Sequence, residues 1–279
     1  MSAFPPRLHC LLARDNPRIG VVIRRGPSKS VCTILWNRRN DTFQLGQWMR
    51  GRIYERRSDL SPDGHHMIYF AMNGRWGSEG LGAWTAISRV PYLKAVVLAP
   101  KGDCWNGGGL FVSPSTYWLN HEHWRENEYY RFLKNDPRLQ ADVKFRPAHY
   151  FGGECPQVYY HRLLRDGWKK QPIKQRGVDA IFDRTMPADG IVLRKLCFAE
   201  IGAPPGNGCY YDWHQLLDAE GNVLSDHPEW QWAEVDRQRL VWAEAGKLFA
   251  GKANARGLKN RKELHDFTDM RFKAIEAPY

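Results

Sequence analysis

No stretch of this 279-residue chain approaches the roughly 18 consecutive apolar residues that a membrane-spanning helix needs. Cysteine is scarce as well. The six cysteines (Cys10, Cys32, Cys104, Cys155, Cys197, Cys209) contain no CxxC pair, so neither a zinc ribbon nor a disulfide-dense secreted scaffold is indicated. The first residues, MSAFPPRLHCLLARD, have two prolines and no apolar core of signal-peptide length. These absences lead to the expectation of a soluble, cytoplasmic protein. Catalytic signatures are missing too: no Gly-x-Ser-x-Gly elbow, no glycine loop followed by Lys-Ser/Thr, and no dinucleotide fingerprint. Helix-turn-helix, RRM and zinc-finger patterns do not occur either.

Apolar residues make up 43 % of the chain and charged residues 25 %, enough for a sizeable core and too apolar for wholesale disorder. The net charge of +11 is uneven, because residues 1–60 hold 12 Lys and Arg against four Asp and Glu. The excess includes Arg24, Arg25, Arg38, Arg39, Arg52, Arg56 and Arg57. As a surface, such a segment would attract phosphate, an anionic surface or an acidic partner; it could equally be a solvated basic edge. Trp36, Trp48, Trp76, Trp84 and Trp105 are interspersed in this half. Rings beside arginines suit single-stranded nucleic acid or the hot spots of a protein interface.

The dominant local signal is short β-prone runs separated by turn residues. Thr33–Trp36 and Thr42–Leu45 flank Asn37-Arg38-Arg39-Asn40-Asp41, which predicts a hairpin. Arg239–Ala243 and Lys247–Ala250 flank Glu244-Ala245-Gly246, which predicts another. Turn chemistry recurs at Pro62-Asp63-Gly64, Pro187-Ala188-Asp189-Gly190 and Asp218–Asn222. The run Met67–Ala71 is apolar on both faces, so both must be covered. That excludes a one-layer sheet and favours stacked sheets or packed blades.

Three segments share one layout of small apolar residue, polar turn and aromatic-containing apolar run: 60–70, 112–119 and 235–243. The first two begin 52 positions apart, near the period of propeller blades of four strands each. The fold expected is all-β: a β-propeller of five blades filling 1–279 as a single domain, with a helical insertion at 123–135, where Tyr129, Phe132 and Leu133 fall at helical spacing. The competing arrangements are a β-sandwich or two β domains, at 1–120 and 150–279. The Ser61-Pro62-Asp63-Gly64 turn followed by Met67–Ala71 resembles the strand-entry signature of TolB-type and WD-repeat-like β-propellers, although the Trp-Asp dipeptide occurs nowhere in the chain. The whole also looks similar to uncharacterised bacterial propeller-like proteins. The resemblance implies a fold and no activity.

Three clusters are candidate sites. In Asn120-His121-Glu122-His123, a strand would place His121 and His123 on one face, as paired metal-binding imidazoles require. No third ligand sits at a diagnostic spacing, so neither metal nor cofactor is expected. In Asp212-Trp213-His214, Asp212 could orient His214 as a general base. The loop Gly102–Gly109 carries three consecutive glycines, with Asp103, Trp105 and Asn106 able to contact a ligand. Cys104 would be a nucleophile only beside a base, and a connection needing positive φ explains the glycines equally well. A second loop, 202–208, leads into Asp212, and a pocket would form if the two loops met.

The function expected is a protein-binding module presenting a basic, aromatic face that includes Trp105. The alternatives are nucleic-acid binding through residues 24–57, and a hydrolase or lyase at a propeller's central opening using Asp103, His121, His123, Asp212 and His214.

Overall fold

The computed structural model describes residues 4–26, 29–121, 132–173, 175–187, 190–200 and 208–279. They form five sheets, each built from strands consecutive in the chain. The first comprises β1 (Arg7–Leu12), β2 (Ile19–Arg25), β3 (Ser30–Asn37) and β4 (Thr42–Arg50). The second comprises β5 (Arg52–Leu60), β6 (His66–Met72), β7 (Ala83–Arg89) and β8 (Ala95–Pro100). The third is smaller: β9 (Gly109–Phe111), β10 (Thr116–Leu119) and β11 (Gln140–Ala141), the last pair parallel. After helix α1 (Pro156–Arg165) comes a five-stranded sheet. Its strands are β12 (Lys169–Gln171), β13 (Ala180–Thr185), β14 (Val192–Ala199), β15 (Tyr210–Leu217) and β16 (Val223–His227). The fifth holds β17 (Trp230–Asp236), β18 (Arg239–Glu244), β19 (Lys247–Asn254) and β20 (Gly257–Asp266).

The chain divides into two compact units. One is Met1–His9 with Leu163–Met270; the other is Cys10–Arg162 with Arg271–Tyr279. Each unit is made of two separate stretches of the chain.

Both expected hairpins form, β3–β4 and β18–β19. The turn before β6 is built as its residues demand. The Ser61 hydroxyl donates to Asp63 at 2.6 Å, the His65 N–H reaches the same carboxylate at 3.0 Å, and Gly64 takes a φ of +81°. The three segments of shared layout all cross from the first to the second strand of a sheet: β5 to β6, β9 to β10 and β17 to β18.

Strand β6 meets apolar neighbours on both sides. Met67, Tyr69 and Ala71 pack with Val21, Ile23 and Val31 of the first sheet. Ile68 packs with Phe111, Tyr117 and Leu119 of the third. The second sheet is therefore covered on both faces, and each fully buried aliphatic or aromatic side chain contributes about 1.5–3 kcal/mol. In the other unit an aromatic column runs through the fifth sheet. Trp230 and Trp242 stack at 5.0 Å, Trp242 and Phe249 at 5.6 Å, and His227 lies on Trp230 at 3.8 Å.

The expected helix at 123–135 falls mostly on residues 122–131, outside those described. Where it is described it is not helical: Leu133 N–H donates to Leu98 O and Leu98 N–H to Lys134 O, so the chain bridges β8. The helix that does form, α1, begins at Pro156, whose missing N–H costs nothing at a first helical position.

Candidate functional site

The site is built outward from Arg57. This guanidinium is 1 % exposed and lies between the rings of Tyr54 at 4.7 Å and Phe70 at 4.9 Å. It donates to the carbonyl oxygens of Cys104 at 2.8 Å and of Asn106, to the Glu154 carboxylate, and to Cys155 Sγ at 3.4 Å. One side chain of β5 thus clamps the glycine loop and the segment before α1. Burial raises the Cys155 thiol above its ordinary range, with Arg57 opposing, so Cys155 is not an activated nucleophile.

The glycines answer to the chain itself. A Cβ on Gly108 would sit 1.9 Å from Arg57 O, and one on Gly107 would sit 2.3 Å from Phe70. Both residues have φ near +80°, at +76° and +80° respectively. Close packing against the second sheet, not approach to a ligand, is what this stretch needs Gly for.

The loop's far end meets the second candidate cluster. Gly107 N–H donates to Asn120 O at 2.7 Å and Asn120 N–H to Gly108 O at 2.9 Å. Gly108 N–H donates to the Thr85 hydroxyl at 2.8 Å, and that hydroxyl lies 3.5 Å from His121 Nε2. The Asn120 amide reaches Gly107 O and Glu154 O at 3.4 and 3.5 Å. His121 is buried, which pushes its pKa down to about 3; the Lys101 charge pushes the same way and Asp103 opposes. It is therefore neutral at physiological pH. Asp103 pairs with Lys101 at 2.9 Å and accepts the Trp105 N–H at 2.8 Å.

Asn106, Asn120 and His121 line one side of a cleft of about 300 Å³ in this unit, with Trp118. Arg146, His149, Tyr150 and Gln157 line it too. Tyr150 is 76 % exposed. The Arg146 guanidinium donates to Val143 O and Phe145 O at 2.7 and 3.0 Å and stands exposed. The structure thus brings Asp103, Asn106 and His121 into one neighbourhood. Trp105 is exposed nearby on the same loop. His123 and the loop 202–207 lie outside the described residues. Among the described residues no group of three or more His, Cys, Asp or Glu is arranged to hold a metal.

Asp212 and His214 belong to the other unit and are both buried. Lys195 on β14, 1 % exposed, links them: Nζ lies 3.2 Å from His214 Nε2, 3.8 Å from Asp212 and 3.3 Å from Ala233 O, over the Trp168 ring at 4.8 Å. This is a buried charge held by an acid, an imidazole, a carbonyl and a ring. Nothing in Val192–Ala199 marks Lys195 in advance, since a lysine among apolar strand residues reads as an outward-facing one.

The arginine-rich segment is not a single surface. Arg24, Arg38, Arg56 and Arg57 are buried, which removes them from any exposed binding face. Arg24 donates to Gly26 O at 2.5 Å, Arg38 to Ala13 O and Ile19 O at 3.2 and 3.3 Å, and Arg56 lies over Tyr159 at 4.8 Å. Arg25 pairs with Glu55 at 3.2 Å. Arg39 and Arg52 remain exposed. Guanidinium groups with several donors and a flat face can be satisfied inside a protein, which a count of charges along the sequence does not register. The cleft residues that sequence reasoning missed, Trp118, Arg146, His149 and Tyr150, lie on segments with no periodic signal. The clustering of His, Tyr, Phe and Gly at 149–153 was the available hint.

No family model matches this chain, and no curated protein matches it. Among solved structures, it is similar to the uncharacterized protein lmo1340 from Listeria monocytogenes EGD-e at 8 % identity and a TM-score of 0.26. The match covers 92 % of this chain and 66 % of that one, less than two thirds of its length. A likeness at this level transfers neither fold nor function. Among the described residues no helix is long and apolar enough to cross a membrane.

Proposed function

We propose that the five sheets are the blades of a five-bladed β-propeller, and that the protein is a protein-binding module. Its docking site is the cleft of Asn106, His121, Arg146 and Tyr150. The chain-consecutive order of the sheets, with no strand exchanged between them, supports the propeller reading. A determined structure whose sheets are not radially arranged would remove it.

The division of labour in the cleft carries the binding reading. Its Asn120 amide and His121 imidazole are engaged in closing the glycine loop, while the exposed groups are an arginine and aromatic rings, the residue types that dominate protein-interface hot spots. Among the described residues, no carboxylate and no thiol lines the cleft. The Arg146 guanidinium, held among the described residues by the carbonyls of Val143 and Phe145, suits an acidic segment of the partner.

The test is capture of partners from native lysate by the wild-type chain and by a Tyr150→Ala, Arg146→Glu variant, each with and without nuclease. A protein retained by the wild type after nuclease, and lost with the variant, is expected. Retention by both, or recovery of nucleic acid alone, would overturn the proposal.

A further inference from the structure

A second cavity, of about 440 Å³, lies in the unit Cys10–Arg162 and shares no residue with the cleft. Its walls are of two kinds. Ile19, Leu35 and Val90 form an apolar side, and His65, His66, Arg89 and Arg138 a nitrogen-rich one.

The frame around it is fixed by main-chain bonds. Asp15 N–H donates to Pro62 O at 2.9 Å and Val90 N–H to His65 O at 2.9 Å, while the Asn16 amide reaches Asp63 O at 3.2 Å. Gly64 allows Ile19 to pack against the turn, since a Cβ there would lie 2.7 Å from Ile19 Cγ2. The cavity therefore exists before any ligand arrives, which lowers the cost of binding.

The acids nearby are already committed. Asp136 takes Arg138 in a bidentate pair at 2.9 and 2.6 Å. Asp63 accepts from Ser61 and from the His65 N–H, with the His65 ring 3.8 Å away. Arg89 is different. Its guanidinium lies over the Tyr279 ring at 4.8 Å, with no carboxylate within ion-pair distance among the described residues. His66 Nδ1 is buried and has no hydrogen-bond partner among the described residues. A half-buried arginine without an acid and an imidazole nitrogen without a partner sit on the same cavity, beside an apolar wall.

We propose that this cavity binds a small organic oxyanion, with its phosphate or carboxylate head on Arg89, His66 and Arg138 and its apolar body against Ile19, Leu35 and Val90. Arg89 supplies the charge-assisted hydrogen bonds, for which a planar fork and an oxyanion are matched. Arg138 keeps donors to spare beyond its pair with Asp136. The apolar wall sets the preference for an organic anion over a bare one.

The experiment is isothermal titration of the full chain with phenyl phosphate, benzoate and inorganic phosphate. Variants Arg89→Gln and Arg138→Gln are titrated alongside. Arg138 is a largely exposed side chain (69 %), so its variant keeps the test available if Arg89→Gln fails to fold. Phenyl phosphate or benzoate is expected to bind at least tenfold more tightly than inorganic phosphate. Either substitution is expected to weaken that binding at least tenfold, with unchanged circular dichroism. The stronger of the two aromatic anions identifies the head. No heat with any probe, affinity unaltered in both variants, or inorganic phosphate binding as tightly as the aromatic anions would overturn the proposal. Loss of partner capture at the cleft would leave these titrations unaffected, so the two readings fail separately.

Discussion

The two compact units both bury positive charge, and they do it with different side chains. The unit Cys10–Arg162 with Arg271–Tyr279 encloses arginines, satisfied mainly by main-chain carbonyls and aromatic faces. The unit Met1–His9 with Leu163–Met270 encloses Lys195, which needs a nearby carboxylate, Asp212. The contrast follows from the groups themselves. A guanidinium is weakly hydrated, flat and rich in donors, so carbonyls and rings can replace its water; an ammonium is a compact, strongly hydrated point charge. Burying lysine therefore ties two charges together, whereas a buried arginine such as Arg57 can take a carboxylate and still tie together pieces of backbone.

Changes that break each arrangement should differ accordingly. The largest effect is expected for Lys195→Met, which leaves Asp212 buried without its cation and should cost about 3–5 kcal/mol. Adding Asp212→Asn should recover part of that loss in urea unfolding, and a double variant no more stable than Lys195→Met would contradict the pairing. Next is Arg57→Lys. It keeps the charge but loses the fork and the flat face, and should cost about 2–3 kcal/mol by the same measurement. A loss below about 0.5 kcal/mol would show that charge alone matters there.

A pH test comes third. His121 is held neutral in the folded protein, with its pKa depressed to about 3. The unfolded chain takes up that proton first, near pH 6.5. The stability His121 contributes is therefore complete above about pH 6.5 and is lost progressively as pH falls toward 3. Histidine NMR should show its ring neutral at pH 5, and an imidazolium there would refute the reading. The smallest effect belongs to Arg39→Ala. This side chain is exposed, so the change should stay within about 0.5 kcal/mol; a larger loss would erase the distinction between interior and surface arginines.

What could be read in advance depended on range. The hairpins at 33–45 and 239–250 are local, written in turn residues whose backbone preferences act over four or five positions. Coverage of Met67–Ala71 on both faces was likewise implied by the side chains themselves. Helix α1 was missed although Tyr159, Tyr160, Leu163 and Leu164 fall at helical spacing; what that spacing does not announce is that His161 and Arg162 on the polar side are buried as well. The glycine loop and Asn120-His121 were both singled out. Their union through Gly107, Gly108 and Thr85 is a long-range fact that neither segment contains. The arginines were the largest misjudgement: charge counted along a strand is silent about the carbonyls awaiting it.

Each unit is assembled from two stretches that are not neighbours in the chain. Gln47 holds Ile275 O at 2.8 Å, Trp48 meets Phe272 at 5.9 Å, and Tyr279 donates to Lys94 O at 2.7 Å. On the ribosome, the earlier-made half must therefore wait, unfinished, while more than a hundred further residues are added. Until Arg271–Tyr279 emerges, Trp48 lacks the ring of Phe272, and a chaperone acting in that interval would meet it without that cover.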